Sequence, residues 1–307
     1  MEALKITLLT KSSTLLTKSS TFTPFQADTI FGHLCWVVAH QEGEEGLKKF
    51  LQPFKEEKPP FVISDGFPGD SLPKPLSAEF NIDDPIKRKE LKKIEFIKID
   101  DFNLARKGEK FKLQPTELIK TSLTVHNTIS RYTNTTPLEG GIYSLEETYI
   151  QSITIYIKVI SEEWKNKLVE LFENLSKIGY GRKKSIGKGQ FSVEKIEKFE
   201  GFKDLKDSNG FVTLSNFCPA EDDPIEGFYK TFVKYGKLGE EFTFCGNPFK
   251  RPLLMIKTGS IFKTNGKPKE FYGRMIEGIA PAKPEVVHYG YAFAVPVYIS
   301  QSLLDGR

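Results

Sequence analysis

Short runs in which apolar and polar residues alternate predict β-strands in the first two hundred residues of the chain. Residues 3–9 (ALKITLL) and residues 190–199 (QFSVEKIEKF) have this pattern. Residues 153–159 (ITIYIKV) alternate most regularly, with an isoleucine or valine at every second position. A period of two places these apolar side chains on one face of an extended strand.

Two other segments repeat their apolar residues at helical spacing. Residues 26–40 (QADTIFGHLCWVVAH) predict a helix that Asp28 caps, because a carboxylate there can accept backbone N–H groups and face the positive helix end. Residues 161–178 predict a second, amphipathic helix. Ser161 is its expected N-cap, and Gly179 is the residue expected to end it.

A long β-hairpin is predicted over residues 121–149, which are rich in Thr, Ile, Tyr and Val around the turn sequence TNTTPLEGG. The elements then follow in the order strand, helix, insertion, hairpin, strand, helix, glycine-rich loop, strand. This order indicates an α+β, split β-α-β, ferredoxin-like (RRM-type) fold. Residues 41–120 contain Pro-rich loops and a basic segment, and we expect a poorly regular insertion there.

The remainder of the chain predicts strands without a strong amphipathic helix. Residues 286–299 (VVHYGYAFAVPVYI) alternate clearly, and Pro296 favours an edge strand because proline cannot donate a ladder hydrogen bond. The 307 residues are enough for two domains of ordinary size. We therefore expect a ferredoxin-like domain over 1–200, with the hairpin as its thumb, and a second, degenerate β-rich, RRM-like lobe over 201–307.

Composition adds few constraints. The net charge of +4 is mild, and Cys35, Cys218 and Cys245 form no CxxC pair, so neither a disulfide framework nor a zinc knuckle is predicted. Since no apolar run reaches about 18 residues, we expect no membrane span, and the chain is predicted to be cytoplasmic. The heptad LLTKSST occurs at 8–14 and again at 15–21, and a recent duplication that lengthens a strand end or loop explains it best.

Residues 178–191 (IGYGRKKSIGKGQF) combine four glycines with four basic residues. A Walker A loop needs Ser or Thr after its Gly-Lys pair, but Gly189 follows Lys188 here. A Rossmann turn leads from strand to helix, whereas this loop leads from helix to strand. Two interpretations remain from the residues alone: a cationic clamp on several phosphates of a polyanion, or a helix-to-strand connection with incidental lysines.

The hairpin and the histidines provide weaker candidates. The hairpin offers Arg and an aromatic residue that could wedge against RNA bases, although the residues alone favour an ordinary sheet hairpin with polar edge residues. His33 and His40 are seven positions apart, about 10 Å along a helix, which is too far for one metal ion. No metal site or cofactor is therefore predicted. His33 could serve as a general base for RNA cleavage, but a partly buried structural histidine is the commoner outcome.

Three stretches of the chain are distinctive when they occur together: FTPFQADTIFGHLCW, GYGRKKSIGKGQF and VVHYGYAFAVPV. With the hairpin HNTISRYTNTTPLEGGIYSLEE between them, the chain resembles the RAMP superfamily of CRISPR proteins. More narrowly, it is similar to the family of the fourth subunit of type III-A Csm effector complexes, relatives of the Cas-five group. The duplicated heptad departs from this family's pattern, so nothing is carried over to residues 8–21.

The resemblance implies two modified ferredoxin-like domains in a non-catalytic subunit. Such a subunit grips the repeat-derived 5′ tag of the CRISPR RNA. It docks to the large polymerase-like signalling subunit and to the first backbone RAMP subunit. The resemblance also implies which residues lie near RNA or a partner. They are Gly181, Arg182, Lys183, Lys184, Ser185, Gly187, Lys188 and Gly189 of the glycine loop, His126, Asn127, Arg131 and Tyr132 of the thumb, and Asp28, His33, His288 and Tyr289.

Two rival functions remain open at this point. The first is a CRISPR RNA-processing endoribonuclease of the same superfamily, with His33 as its base and the glycine loop as its phosphate clamp. The second is a repeated backbone subunit that cuts target RNA with an aspartate. The long chain, with its second lobe after residue 200, favours a terminal capping subunit over a repeated one.

Overall fold

The computed structural model describes residues 2–11, 14–15, 25–77, 93–113, 119–181, 187–202, 205–239 and 246–301. The helices in these ranges are α1 (Ala27–Lys55), α2 (Ile99–Arg106) and α3 (Trp164–Ile178). The strands of the first half are β1 (Glu2–Thr10), β2 (Thr14–Leu15), β3 (Phe61–Ile63), β4 (Phe67–Pro68), β5 (Ser71–Pro73), β6 (Phe96–Lys98), β7 (Lys120–Asn127), β8 (Ile142–Tyr149), β9 (Ser152–Val159) and β10 (Phe191–Phe199). Those of the second half are β11 (Gly210–Thr213), β12 (Gly227–Phe228), β13 (Thr231–Lys234), β14 (Leu253–Ile256), β15 (Ile261–Lys263), β16 (Phe271–Gly273) and β17 (Tyr291–Val297).

The first sheet has the strand order β10-β1-β9-β3, and β4 also pairs with β9. Every pairing in it is antiparallel. Leu4, Ile6 and Leu8 of β1 point into a core shared with α1 and α3, as their period of two predicts. All residues of β9 from 153 to 159 are buried, so both faces of this central strand are covered.

The second sheet has the order β12-β15-β11-β17-β16. In β17, Tyr291, Phe293 and Val295 join the large core of the first sheet, whereas Ala292 and Ala294 belong to a separate cluster on the opposite face. The predicted edge position of this strand was wrong, because β17 lies between β11 and β16. Pro296 is tolerated because β16 pairs with β17 only from Tyr291 to Phe293, while Pro296 lies beyond it.

Helix α1 differs from its prediction at both ends. It begins after Gln26, which makes no side-chain capping bond, so Asp28 is not the N-cap. The backbone N–H of Ala27 donates instead to Oδ1 of Asp65 at 2.8 Å. The helix also runs beyond residue 40 to Lys55, with non-helical backbone at Gly43. Since β3 of the first sheet follows directly, the stretch after residue 40 is more regular than predicted.

The predicted Ser161 cap was also wrong, because α3 begins at Trp164 with Glu163 as its N-cap residue. The carbonyl of Ser161 accepts the N–H of Trp164, so this residue contributes its backbone rather than its hydroxyl. The predicted end is confirmed: Gly179 ends the helix with φ 85°, a conformation that glycine adopts without strain. The hairpin expected over 121–149 is present as β7 and β8, with a short β2 beside β8.

Two buried polar contacts join the sheets. Besides accepting from Ala27, Asp65 accepts from Nδ2 of Asn216, after β11, through Oδ2 at 2.8 Å. Nζ of Lys158 in β9 donates to the carbonyl of Ala294 in β17 at 2.6 Å and to the carboxylate of Glu270 at 3.1 Å. Burial lowers the pKa of Lys158, although Glu270 acts in the opposite direction. The second half of the chain is therefore tied to the first by the buried polar side chains of Asp65 and Lys158.

Among the described residues, no helix is long and apolar enough to cross a membrane.

Replacing Asp65 by alanine tests this junction. Asp65→Ala leaves the N–H of Ala27 and the amide of Asn216 without their acceptor, and buried donors that lose a partner cost about 1–3 kcal/mol each. We expect the free energy of unfolding to fall by about 3 kcal/mol in chemical denaturation. Asp70→Ala is the matched control, since Asp70 forms an exposed ion pair with Lys5 and should change stability by less than about 1 kcal/mol. Equal effects of the two substitutions would contradict this account.

Candidate nucleic-acid interface

The described ends of the glycine loop are held together by glycine-dependent contacts. The N–H of Tyr180 donates to the carbonyl of Gly189 at 2.9 Å. A Cβ on Gly189 would lie 1.8 Å from the carbonyl oxygen of Tyr180, so a larger residue cannot close the loop in this way. Gly187 has open space where a side chain would be. Arg182, Lys183, Lys184 and Ser185 lie outside the described residues.

Tyr180 joins this loop to the start of α1. Its ring stacks on Phe25 with 4.0 Å between centroids, and its hydroxyl accepts the N–H of Gln26 at 3.3 Å. Burial raises the pKa of this phenol, so Tyr180 is a neutral structural side chain. The N–H of Gly181 donates to Nε2 of His33 at 3.4 Å. The structure thus brings His33, in the second turn of α1, beside the first residue of the basic segment.

Asp28 lies on the other side of the helix start and is buried against two basic side chains. Its Oδ2 contacts Nζ of Lys234, from the end of β13, and lies 3.5 Å from Nε2 of His288. Burial alone would raise the pKa of Asp28, but Lys234 and His288 outweigh it, and the pKa is lowered. Asp28 is therefore an ionised partner within the protein and not an exposed carboxylate.

His288 and Tyr289 are more deeply buried than surface contacts with RNA require. Burial lowers the pKa of His288 to about 4, helped by Lys234 and Lys250 and opposed by Asp28. The hydroxyl of Tyr289 accepts the N–H of Ile63 at 3.0 Å, and its ring packs on Phe31. These two residues support the interface from beneath, since neither side chain reaches the surface.

Lys188, at the far end of the loop, contacts the base of the hairpin. Its Nζ donates to Oε2 of the buried Glu147 at 2.8 Å. Oε1 of the same carboxylate accepts from the hydroxyl of Thr124 at 3.0 Å and lies 4.0 Å from Nε2 of His126. The ring of His126 stacks on Tyr143. One carboxylate therefore couples the loop to the hairpin. The sequence pattern did not predict this contact.

The outer part of the hairpin is exposed. Asn127 donates through its amide to the hydroxyl of Thr136 at 3.2 Å, which braces the turn. Arg131 and Tyr132 lie in that turn, and the ring of Tyr132 is fully exposed. Leu123 and Val125 are also more than half exposed, although they are apolar. A projecting, partly apolar hairpin of this kind is suited to contact bases or another protein.

Residues of the second half also contact the start of α1. The sequence analysis did not predict them as site residues. Lys234 contacts Asp28 and Gln26, which precede it by about two hundred residues. The signal that could have found this region is its basic and aromatic content, in the stretches FYKTFVKYGK and PFKR. Neither stretch has motif spacing, so no search for catalytic or metal patterns would select it.

The described part of the chain offers few candidate catalytic groups. No group of three or more His, Cys, Asp and Glu side chains there could hold a metal ion. Burial raises the pKa of Cys35 and that of Cys218 to about 12, which keeps both thiols protonated.

Comparison with solved structures matches almost the whole chain. A chain of a crystal structure of the Csm1-Csm4 cassette with pppApA has 19% identity and a TM-score of 0.65, with coverage of 98% of this chain and 100% of the other. The same cassette with AMPPNP gives 20% identity and a TM-score of 0.65, with coverage of 98% and 100%. A crystal structure of the Csm3-Csm4 subcomplex in the type III-A CRISPR-Cas interference complex gives 16% identity and a TM-score of 0.63, with coverage of 97% and 100%.

The class of fold follows from these matches and from the strand order. The chain has an α+β, RAMP-like fold with few helices and several antiparallel sheets. More narrowly, Csm4 is the component that the matched complexes share, and the fold of this chain is Csm4-like. No family model matches the sequence, and no curated protein matches it.

The buried His288 predicts a defined pH dependence of stability. Its pKa is about 4 in the folded protein and about 6.5 when unfolded. Between these values only the unfolded chain binds the proton, so stability is lost as pH falls from 6.5 to 4, by about 1.4 kcal/mol per pH unit. His288→Gln should remove most of this loss in denaturation measured at several pH values. His40→Gln, at an exposed position of α1, is the matched control, and identical pH profiles of the two variants would refute the assignment.

Proposed function

We propose that the protein is a non-catalytic, RNA-binding subunit of a type III-A CRISPR interference complex. In this proposal it grips the repeat-derived 5′ tag of the CRISPR RNA and docks the large signalling subunit and the first backbone subunit. The observation that supports this most strongly is the likeness to Csm4 in two different assemblies, one with Csm1 and one with Csm3, over 97–98% of the chain. The two proposed protein partners correspond to Csm1 and Csm3, the other subunits in these assemblies.

The geometry supports a phosphate-binding role for the glycine loop. Its described ends lie beside the start of α1, where the hydroxyl of Tyr180 accepts the N–H of Gln26 and the N–H of Gly181 donates to His33. Between these ends the chain supplies Arg182, Lys183 and Lys184 without an acidic residue. Glycines allow an RNA backbone to approach closely, and the basic residues neutralise several phosphates along it.

We assign the thumb role to the hairpin of β7 and β8, since its exposed Arg131 and Tyr132 can meet a displaced base. The contact of Lys188 with Glu147 would then fix the position of the thumb relative to the loop. We also propose the division into a ferredoxin-like domain over 1–200 and a second RRM-like lobe over 201–307. The two halves share one hydrophobic core, so they would act as one rigid unit on the RNA.

The endoribonuclease alternative has one observation in its favour, since His33 lies beside the glycine loop. However, Nε2 of His33 accepts the N–H of Gly181. The lone pair that a general base needs is thus occupied, and the ring acts as a brace for the loop. Asp28, the one aspartate among the predicted site residues, is ionised and held by Lys234. The arrangement therefore favours binding over cleavage.

The loop is tested by the triple substitution Arg182→Ala, Lys183→Ala and Lys184→Ala. We expect weaker binding of tag-bearing CRISPR RNA and a shallower plot of log affinity against log salt. Each phosphate contact to a single strand contributes a slope of about 0.7, so three lost contacts would change it by about 2. Fluorescence polarisation at several salt concentrations measures both quantities.

The control variant carries Lys48→Ala, Lys49→Ala and Lys58→Ala. These substitutions remove equal charge from exposed positions around α1 and should preserve binding. Unchanged binding and assembly in the loop variant would overturn the assignment.

Incubation with repeat RNA separates binding from cleavage. We expect the purified wild-type chain and the His33→Ala variant to leave the RNA intact, with and without a chelator. Metal-independent cleavage by the wild type that His33→Ala abolishes would establish the endoribonuclease instead. Gel analysis of 5′- and 3′-labelled RNA detects either product.

A further inference from the structure

The two-stranded ribbon of β13 and β14 has two unlike faces. Here "the ribbon" denotes residues 229–237 and 249–257. Thr231 pairs with Ile256, and Val233 pairs with Leu254. Phe232 and Met255 point inward, where they pack with Cys218 in a small core. The outward face is apolar but open, since Leu254 is 63% exposed and Val233 is 43% exposed.

Aromatic rings extend this open face. Tyr235 is 76% exposed and Phe249 is 62% exposed, although large rings usually contribute to folding by being buried. Nζ of Lys237 lies 5.9 Å from the centroid of the Phe249 ring, and the two residues form a β-bridge. Tyr229, at the start of the ribbon, is about half exposed. The rings of Tyr235 and Phe249 thus present most of their area to solvent.

The charge of the ribbon has one sign. Its two segments contain no Asp or Glu and six basic residues: Lys230, Lys234, Lys237, Lys250, Arg251 and Lys257. Lys234 and Lys257 pair with Asp28 and Glu95 from other parts of the chain. Protein interfaces are depleted of lysine, whereas surfaces that bind single-stranded nucleic acid combine basic residues with exposed aromatic rings. The composition therefore favours a polyanion with stackable groups over a protein partner.

The ribbon is also continuous with the candidate interface. Lys234, its central basic residue, contacts Asp28 and Gln26 at the start of α1. Gln26 in turn bonds to Tyr180, which precedes the first residue of the basic loop. The ribbon and the described start of the glycine loop are thus neighbours in the fold, linked through Gln26.

We propose that the ribbon is a second RNA-contacting surface, on which bases of a single strand stack against Tyr235 and Phe249. Lys230, Lys237 and Arg251, which are exposed along the same segments, neutralise the neighbouring phosphates. Such stacking is tolerant of sequence because every base has a π-face. This inference rests on the proposed function, since the ligand is the RNA bound by the glycine loop, but it adds a site that the loop does not contain.

The test is the double substitution Tyr235→Ala and Phe249→Ala in the full-length chain. Loss of stacking weakens binding by about 5- to 150-fold per base, so affinity for labelled tag-bearing CRISPR RNA should fall at least about 5-fold. The salt dependence should stay unchanged, because no charge is removed. Tyr235→Phe keeps the ring and should retain affinity. Tyr298→Ala, at another partly exposed tyrosine of the second half, is the matched control.

The outcomes distinguish this inference from the proposed function. If the double variant binds RNA as the wild type does while the loop variant binds weakly, the ribbon assignment fails and the proposed function stands. If the double variant keeps its RNA affinity but loses co-purification with a partner subunit, the ribbon is a protein contact and the inference is overturned. A wild-type chain that binds no RNA overturns both.

Photocrosslinking gives a readout that does not depend on how a variant folds. RNA with 4-thiouridine at successive positions, bound to the wild-type chain, should crosslink to peptides that contain Tyr235 or Phe249. Crosslinks found only in the glycine loop and the hairpin would contradict the inference.

Discussion

The carboxylate of Asp65 is the contact on which the arrangement of this protein depends. It lies just after β3, is fully buried, and serves the start of α1 and Asn216 of the second half at once. A carboxyl group buried in such a place costs stability unless donors satisfy its oxygens. The helix start, the first sheet and the turn after β11 must therefore converge to satisfy it. The candidate interface is built on this point of convergence, since Tyr180 and Lys234 both contact the residues beside it.

Local patterns were sufficient to predict the elements with strong periodicity. The strand at 153–159, the hairpin and the end of α3 at Gly179 were confirmed, because each follows from a repeat or a backbone preference within a few residues. The helix starts were predicted less well. Asp28 and Ser161 are plausible caps by residue type, yet neither is the N-cap residue, and at α1 a tertiary contact replaces the expected cap. Asp65, 38 positions along the chain, supplies the acceptor at α1, and propensity alone cannot reveal so distant a partner.

The candidate site could be predicted only in part. The contacts that were missed join residues that are far apart in the sequence. The proximity of His33 to the glycine loop and of Lys188 to the hairpin depends on how separate elements pack. The pairing of Lys188 with Glu147 is the clearest case, since the loop contains no acid of its own. The buried carboxylate of Glu147 in β8 thus partly neutralises the positive charge of the loop. The ribbon was overlooked because its signal is composition and exposure, and exposure is set only by the fold.

The pairing of β1 has a consequence for synthesis of the chain. Leu4 in this strand lies opposite Ile157 on one side and Lys198 on the other. Because β1 precedes both partner strands in the chain, it has to wait during synthesis until β9 and β10 have been made. Non-local pairing of this kind slows folding and exposes strand edges to aggregation. The period of greatest aggregation risk for this chain is therefore its translation, before residues 152–199 are complete.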